Sequence, residues 1–334
     1  KKKVLEKDTR VFYGGPMAFI IVQRQLYLWF VKLVQSNHFI FMQAPGMDAQ
    51  GKEWDKLYHW LVDFSPNIVA GDFKAFDVTQ DADELMVVYK FIRRFARQLG
   101  ASKEHLDLME ACEKDTTFPL INYFGTLIRT ALNPSGQSLT VIVNELMNVL
   151  RTMSLYALQC DVVNDESMDS FFDNVRLMTY GDDNIMSSKV DTFNHSYLQY
   201  TYEKMGITYT MADKERETQP FITIEEATFL KRSWGFEPDL DMFVAPLDIT
   251  SMTKMLYTYI PSKVISTKQQ LSQMILTNHQ EWFLHGKSAF EEWTEKLKRY
   301  AIELDLIDYV NFHSWDYYCE RFRNKNIEQA RNEP

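Results

Sequence analysis

The sequence predicts an α+β protein of more than one lobe, with a mixed strand-and-helix centre and a helical C-terminal part. Three observations carry this. At 334 residues the chain is about twice the length of a common single domain. Short apolar runs bounded by turn residues, the mark of buried strands, fall in its centre. Beyond residue 253 the apolar pattern turns helical. A composition of 46% hydrophobic and 14% aromatic residues fills a large core and excludes a disordered chain.

Residues 24–43 read as a helix because Leu26, Trp29, Phe30, Leu33 and Val34 share one face, and Ala44-Pro45-Gly46 ends it. Residues 67–73 read as a short buried strand running into polar residues, and 82–99 and 103–114 as charged helices. Asn133-Pro134-Ser135-Gly136 is a turn, after which an apolar-rich helix runs from about Ser138 to Gln159. Segments 174–180 and 184–189 read as strands of a tight hairpin around Gly181-Asp182-Asp183. A helix over 191–205 follows, then strand-like segments near 207–211 and 226–231. Ser266-Thr267-Lys268-Gln269 resembles a capping box, and Phe290, Trp293, Leu297, Tyr300 and Leu304 form one stripe of a later helix.

The net charge of −10 argues, as a bulk number, against a protein that coats nucleic acid or an anionic membrane. Its distribution is uneven. Residues 1–62 hold nine bases against five acids, whereas residues 63–220 hold fourteen against twenty-four. Three dispersed cysteines, Cys112, Cys160 and Cys319, fit a reducing compartment and exclude a disulfide framework or a Cys-type zinc site. Plainly apolar runs such as Met17 to Val22 fall far short of the ~18 residues that span a bilayer, so no transmembrane segment is expected.

Two carboxylate signals stand in the acidic centre. One is Asp72-Phe73-Lys74-Ala75-Phe76-Asp77, directly after an apolar strand; the other is Tyr180-Gly181-Asp182-Asp183-Asn184, in a hairpin turn. Adjacent carboxylates repel, which favours a cation beside them. Oxygen donors suit a hard ion such as Mg²⁺, which keeps waters and accepts substrate phosphates. Alone, either signal could equally be a solvated turn, since Asp and Asn are ordinary turn residues.

Their order with other motifs makes the difference. Asp72 to Asp77, then Ser135-Gly136-Gln137-Ser138-Leu139-Thr140 with Asn144, then Tyr180-Gly181-Asp182-Asp183, resemble the first three palm motifs of RNA-dependent RNA polymerases from positive-strand, picorna-like viruses. Thr210-Met211-Ala212-Asp213-Lys214 resembles the fourth motif and Phe229-Leu230-Lys231-Arg232 the fifth. Lys3-Val4 through Arg10 resembles the finger motif that grips the triphosphate, although Asp8 stands where a second base is common. The likeness covers nearly the whole chain.

The resemblance implies an α+β right-hand polymerase: fingers, a palm with an antiparallel sheet and RRM-like helices, and a helical thumb. It places part of the fingers in 1–62, the palm in 63–77 and 135–252, a finger insertion in 78–134 and the thumb in 253–334. It implies template-directed RNA synthesis with two Mg²⁺ ions, Mn²⁺ being a surrogate, held by Asp72 and Asp182 with Asp183 as auxiliary. Asp77, Ser135 and Asn144 would read the ribose hydroxyls, supported by Thr140, with Gly136 giving the loop its freedom. Lys214 would be the general acid, Lys3 and Arg10 would clamp the triphosphate, and Lys231 and Arg232 would hold the primer strand.

The implied partners are an RNA template and primer or nascent strand, nucleoside triphosphates, and other viral replication proteins. Initiation from a protein primer or de novo stays open. The implied place is the host cytoplasm, at membrane-associated replication complexes. The chain begins inside the finger motif and so reads as the C-terminal two-thirds or so of a polymerase. Two alternatives remain at this point: a reverse transcriptase, which shares the palm, and a catalytically silent RNA-binding viral remnant.

Overall fold

The computed structural model describes residues 12–159, 168–213 and 217–332, with side chains up to residue 325. The chain divides into two compact units, Lys1–Gly46 with Val69–Phe221, and Met47–Ile68 with Ile222–Pro334.

The first unit is organised by a four-stranded sheet of β1 (Ile68–Phe73), β4 (Val175–Tyr180), β5 (Asp183–Ser188) and β6 (Tyr209–Met211), in the order β4-β5-β1-β6. The pairs β4·β5 and β1·β6 are antiparallel, the latter setting Asp72 opposite Thr210. The Thr140–Gln159 helix packs on β4 and the His195–Lys204 helix on β6. Read along the chain, this is a β-α-β-β-α-β unit, the split-βαβ arrangement that RRM-like folds share. Backbone bonds from Thr179 to Met42 and from Ala44 to Thr179, both 2.9 Å, cover the outer edge of β4. Between β1 and the first sheet helix the chain inserts the Ala82–Gln98 and Lys103–Thr117 helices. It then forms a small hairpin of β2 (Leu120–Tyr123) and β3 (Thr126–Arg129).

One core fills this unit, running from Leu26, Phe30 and Val34 through Val88 and Ile92 to Val143, Leu177 and Tyr209. The Thr140–Gln159 helix is its centre, and twelve of that helix's residues are buried.

The second unit is mainly helical. The Lys52–Val62 helix packs on the hairpin of β7 (Gly235–Glu237) and β8 (Met242–Val244), with Tyr58 stacked on Phe243 at 3.5 Å. The Thr267–Phe283, Lys287–Glu303 and Trp315–Asn332 helices share a second core around Ile275, Trp282, Phe290, Leu297 and Phe322. The capping box is formed: Ser266 Oγ accepts from Gln269 N at 3.3 Å, and Gln269 Oε1 accepts from Ser266 N at 3.0 Å.

Several sequence expectations need correction. The first helix is Met17–Gln35, not 24–43. It starts directly after Pro16, and Asn37 Nδ2 bonds the Leu33 carbonyl at 2.7 Å at its end. The apolar stretch opening at Met17 therefore belongs to a 19-residue helix long and apolar enough to cross a membrane, not to a run far too short. A core helix passes the same test, and Gln23, Leu26, Tyr27, Phe30 and Val34 of this one are buried. The strand expected near 226–231 is instead a tight turn. Phe229 and Arg232 exchange both backbone bonds at 2.9 Å, while Leu230 and Lys231 both take left-handed backbone angles, φ 55° and 60°. The Lys52–Val62 helix and the β2–β3 hairpin were not anticipated.

Candidate active site

Strand order brings the two carboxylate signals together. β1 lies beside β5, so Asp72 and the Gly181-Asp182 turn with Asp183 stand on neighbouring strands. Asp182 is exposed at the turn, and Asp72 and Asp183 are half-buried. Gly71 precedes Asp72 on β1. A Cβ at Gly71 would sit 1.9 Å from the Tyr209 hydroxyl and 2.0 Å from the carbon bearing it, so only glycine admits that ring.

The Asp182 turn is held from below by polar side chains on the buried face of the Thr140–Gln159 helix. Asn148 Nδ2 donates to the carbonyls of Gly181 and Asp182, each at 3.3 Å. Asn148 Oδ1 accepts from Asn184 Nδ2 at 3.3 Å, and Asn184 Oδ1 accepts from the Tyr209 hydroxyl at 2.9 Å. Gly181 N donates to Glu145 Oε1 at 3.3 Å. Glu145 is fully buried, and burial pushes its carboxyl well above the ordinary range, against the pull of that N–H.

The second cluster joins the first and second motifs. Asp77 sits in a single helical turn, Phe76–Val78, entered through left-handed Ala75 at φ 54°. Asn144 Nδ2 donates to Asp77 Oδ1 at 2.6 Å. Arg151, from the same helix as Asn144, ties that turn down by donating to the Thr79 carbonyl at 2.7 Å and to Glu84 at 2.8 Å. Thr140 closes the Ser135-Gly136 loop, donating to the carbonyls of Pro134 at 2.9 Å and Gln137 at 3.0 Å. Gly136 takes φ +101°, and Ser135 accepts a backbone bond from Tyr13 at 2.8 Å. Gly136 and Gln137 line a cavity of about 750 Å³ with Gln23 and Phe12.

The structure thus places Asp72 and the Asp182-Asp183 turn on neighbouring strands, and bonds Asp77 to Asn144. Lys3, Arg10 and Lys214 lie outside the described residues. Lys231 and Arg232 belong to the second unit. Lys231 is exposed at the tip of the tight turn. Arg232 turns its guanidinium inward, donating to Glu281 at 2.8 and 3.0 Å and to the Ala245 carbonyl at 2.8 Å. Among the described residues no three His, Cys, Asp or Glu side chains stand close enough to form a finished metal cage. Sequence reasoning missed Gln80, Asn133, Glu145 and Asn148. For Asn148 a signal existed: Thr140, Asn144, Asn148 and Thr152 recur every fourth residue on an otherwise buried apolar helix.

The chain matches the viral RNA-dependent RNA polymerase family over residues 1–304. It is 28% identical over 307 residues to the replicase polyprotein of Drosophila C virus (strain EB), covering 87% of this chain and 17% of that protein. It is 25% identical over 339 residues to the replicase polyprotein of acute bee paralysis virus (strain Rothamsted), covering 97% of this chain and 17% of that one. The chain therefore spans about a sixth of the length of these relatives. Among solved structures it is similar to the Sicinivirus 3Dpol RNA-dependent RNA polymerase. The TM-score is 0.75 at 17% identity, covering 96% of this chain and 64% of that chain, so the two share a fold. With the family match running through nearly the whole sequence, this chain belongs to the viral RNA-dependent RNA polymerases.

Proposed function

We propose that the chain carries the catalytic palm of an enzyme that synthesises RNA from ribonucleoside triphosphates on an RNA template, for viral genome replication. The observation that supports this most is the strand order, which sets Asp72 beside the Asp182-Asp183 hairpin. Carboxylate oxygens on neighbouring strands suit hard divalent ions, whose coordination is completed by water and substrate phosphate. Asp72 and Asp182 would hold two Mg²⁺ ions, Mn²⁺ serving as surrogate, with Asp183 auxiliary. Bound there, such ions neutralise charge at the transferring phosphorus.

The remaining chemistry belongs to the chain's residues. The 3′-hydroxyl of the growing strand gives its proton to solvent and bonds to the α-phosphorus as the bond to pyrophosphate breaks, Lys214 supplying the proton that the pyrophosphate takes. Asp77, Asn144 and Ser135 orient the ribose. A site built to bond a hydroxyl rejects the analogue lacking it by up to ~10⁴–10⁵-fold, because its own polar groups stay unpaired. Lys3 and Arg10 clamp the triphosphate, and Lys231 holds the primer from the tip of a turn that Arg232 braces from within through Glu281. The palm would be 63–77 with 135–252, the insertion 78–134, the fingers 1–62 and the thumb 253–334. Partners are template and nascent RNA, nucleotides and other viral replication proteins, in the host cytoplasm at membrane-associated complexes.

The test is incorporation on a primed RNA template by a purified polymerase containing this chain. Ribonucleotides should be strongly preferred and Asp182→Ala should abolish synthesis. Preference for deoxynucleotides would make the enzyme a reverse transcriptase. Full activity in Asp182→Ala would overturn the catalytic assignment.

A further inference from the structure

The carboxamide of Asn144 faces a choice that its own chain does not settle. Its nitrogen and oxygen ends have nearly the same shape, yet only the nitrogen end can donate to Asp77. Two residues outside the motifs decide it. Gln80 Nε2 donates to Asn144 Oδ1 at 2.8 Å, and Asn133 Nδ2 donates to the same oxygen at 2.6 Å. With the amide reversed, two N–H groups would point at a third and Asp77 would face a carbonyl oxygen. All three amide side chains are buried, Asn133 and Gln80 at 1% and 2% exposure, so water does not replace a lost partner.

Gln80 is informative in a second way. Its own oxygen is buried without a hydrogen-bond partner among the described residues. A buried amide that leaves its acceptor unmet costs stability. What it contributes in return is one N–H aimed at Asn144. Asn133 is held in turn: its oxygen accepts from Gln137 Nε2 at 3.0 Å. Gln137 Oε1 accepts from Leu139 N at 2.9 Å, which fixes which end of that amide faces Asn133. The chain of amides therefore has one direction, from the Ser135–Thr140 loop through Asn133 to Asn144 and on to Asp77.

We propose that Gln80 and Asn133 are positioning residues for sugar selection, holding the Asn144 amide with its N–H toward Asp77 so that this pair meets a 2′-hydroxyl in one fixed hydrogen-bonding sense. This rests on the reading of Asp77 and Asn144 as the ribose-recognition pair. The role is separable from packing. Gln80→Met keeps the length and removes the donor, and Asn133→Leu keeps the branched shape and removes the donor.

The experiment measures kcat/KM for a ribonucleotide and for its 2′-deoxy analogue in a purified polymerase containing this chain, and compares their ratio. The ratio is taken within each variant, so the fraction of folded enzyme cancels. Gln80→Met and Asn133→Leu should each lower discrimination about tenfold, the scale of one neutral hydrogen bond, and the double variant about a hundredfold. Should Gln80→Met give no active enzyme, Gln80→Asn withdraws the same amide by one methylene, with the same expectation. Asn144→Ala is the reference. If it collapses discrimination while the Gln80 and Asn133 variants stay within twofold of the parent, the positioning role is wrong and the ribose reading stands. If Asn144→Ala leaves the ratio unchanged, the ribose reading itself fails and takes this inference with it.

Discussion

Arg151 gives the sharpest stability prediction, because it pins the Asp77 turn to the helix that bears Asn144. Its side chain is 3% exposed. It meets Glu84 through two bonds, at 2.8 and 2.5 Å, and Thr79 through two more, at 3.1 and 2.7 Å. Its guanidinium carbon also lies 5.3 Å from the centre of the Phe76 ring. Arg151→Met removes all of this and keeps most of the apolar stem. Breaking one side of a fully buried pair costs about 3–5 kcal/mol. Glu84 is 23% exposed and still accepts from Asp81 N at 3.3 Å, which moves the pair's share to the lower end. The orphaned Thr79 carbonyl adds about 1 kcal/mol. A loss of about 3–4 kcal/mol follows. Urea unfolding of Arg151→Met, Glu84→Gln and the double variant should give a coupling energy of about 2 kcal/mol. A single-variant loss below about 1 kcal/mol, or additive losses in the double, would refute the assignment of Arg151 as the pin.

Gly71→Ala should cost at least about 3 kcal/mol in denaturant unfolding, at the upper end of overpacking effects. Tyr209→Phe should not rescue it, because the ring carbon at 2.0 Å remains. Glu113 is fully buried, and burial lifts its carboxyl from the ordinary 4.5 to about 7 despite Arg93 Nη1 at 3.5 Å. The folded chain therefore holds this proton more tightly than the unfolded one. Stability contributed by this group falls as pH rises from 4.5 to 7, by up to about 3 kcal/mol, and Glu113→Gln should flatten urea midpoints compared at pH 5 and pH 8. The turn at Leu230 and Lys231 places two non-glycine residues in left-handed geometry. Replacing them by Asn-Gly should raise the unfolding free energy by about 1 kcal/mol, and it should weaken binding of primed RNA if Lys231 grips the primer.

Legibility in the sequence followed the kind of signal each element carries. The hairpin at Gly181-Asp182 and the strand that carries Asp72 were readable because each strand's apolar run stops abruptly at polar residues. The Ser266 capping box was readable because capping is a four-residue code. The turn at 229–232 was not, since Leu and Lys carry no mark of left-handed backbone, and the apolar residues around them imitate a strand. Phe229 is buried for another reason, stacked on Trp54 at 6.2 Å. The β2–β3 hairpin was half hidden, its two-residue turn being Phe124-Gly125, with left-handed Phe124 where Asn or Asp usually stands before the glycine. Gln80 and Asn133 were invisible for a deeper reason. Gln80 meets its partner 64 residues away, Asn133 meets the same side chain across the intervening loop, and a single polar residue near a turn carries no trace of what it will meet.

The supporting groups at the site are mostly neutral amides, and electrostatics explains why this suits the proposed chemistry. Holding the Asp182 turn requires donors to its carbonyls, and lysine or arginine would serve geometrically. Either would place a fixed positive charge beside Asp182. At an effective dielectric of about 20, a unit charge 4 Å away is worth about 4 kcal/mol, enough to compete with the ions that these carboxylates are proposed to bind. Asn148 bonds both carbonyls with no net charge, and Asn184 and Tyr209 fix Asn148 in turn. Arg151, the strong cation of the same helix, is neutralised by Glu84 one turn beyond Asn148. The net charge of −10 misled as a bulk number for the same reason. What matters at the site is that its rigidity comes from neutral groups, so the acidic potential of the centre stays available to cations and, through them, to phosphate.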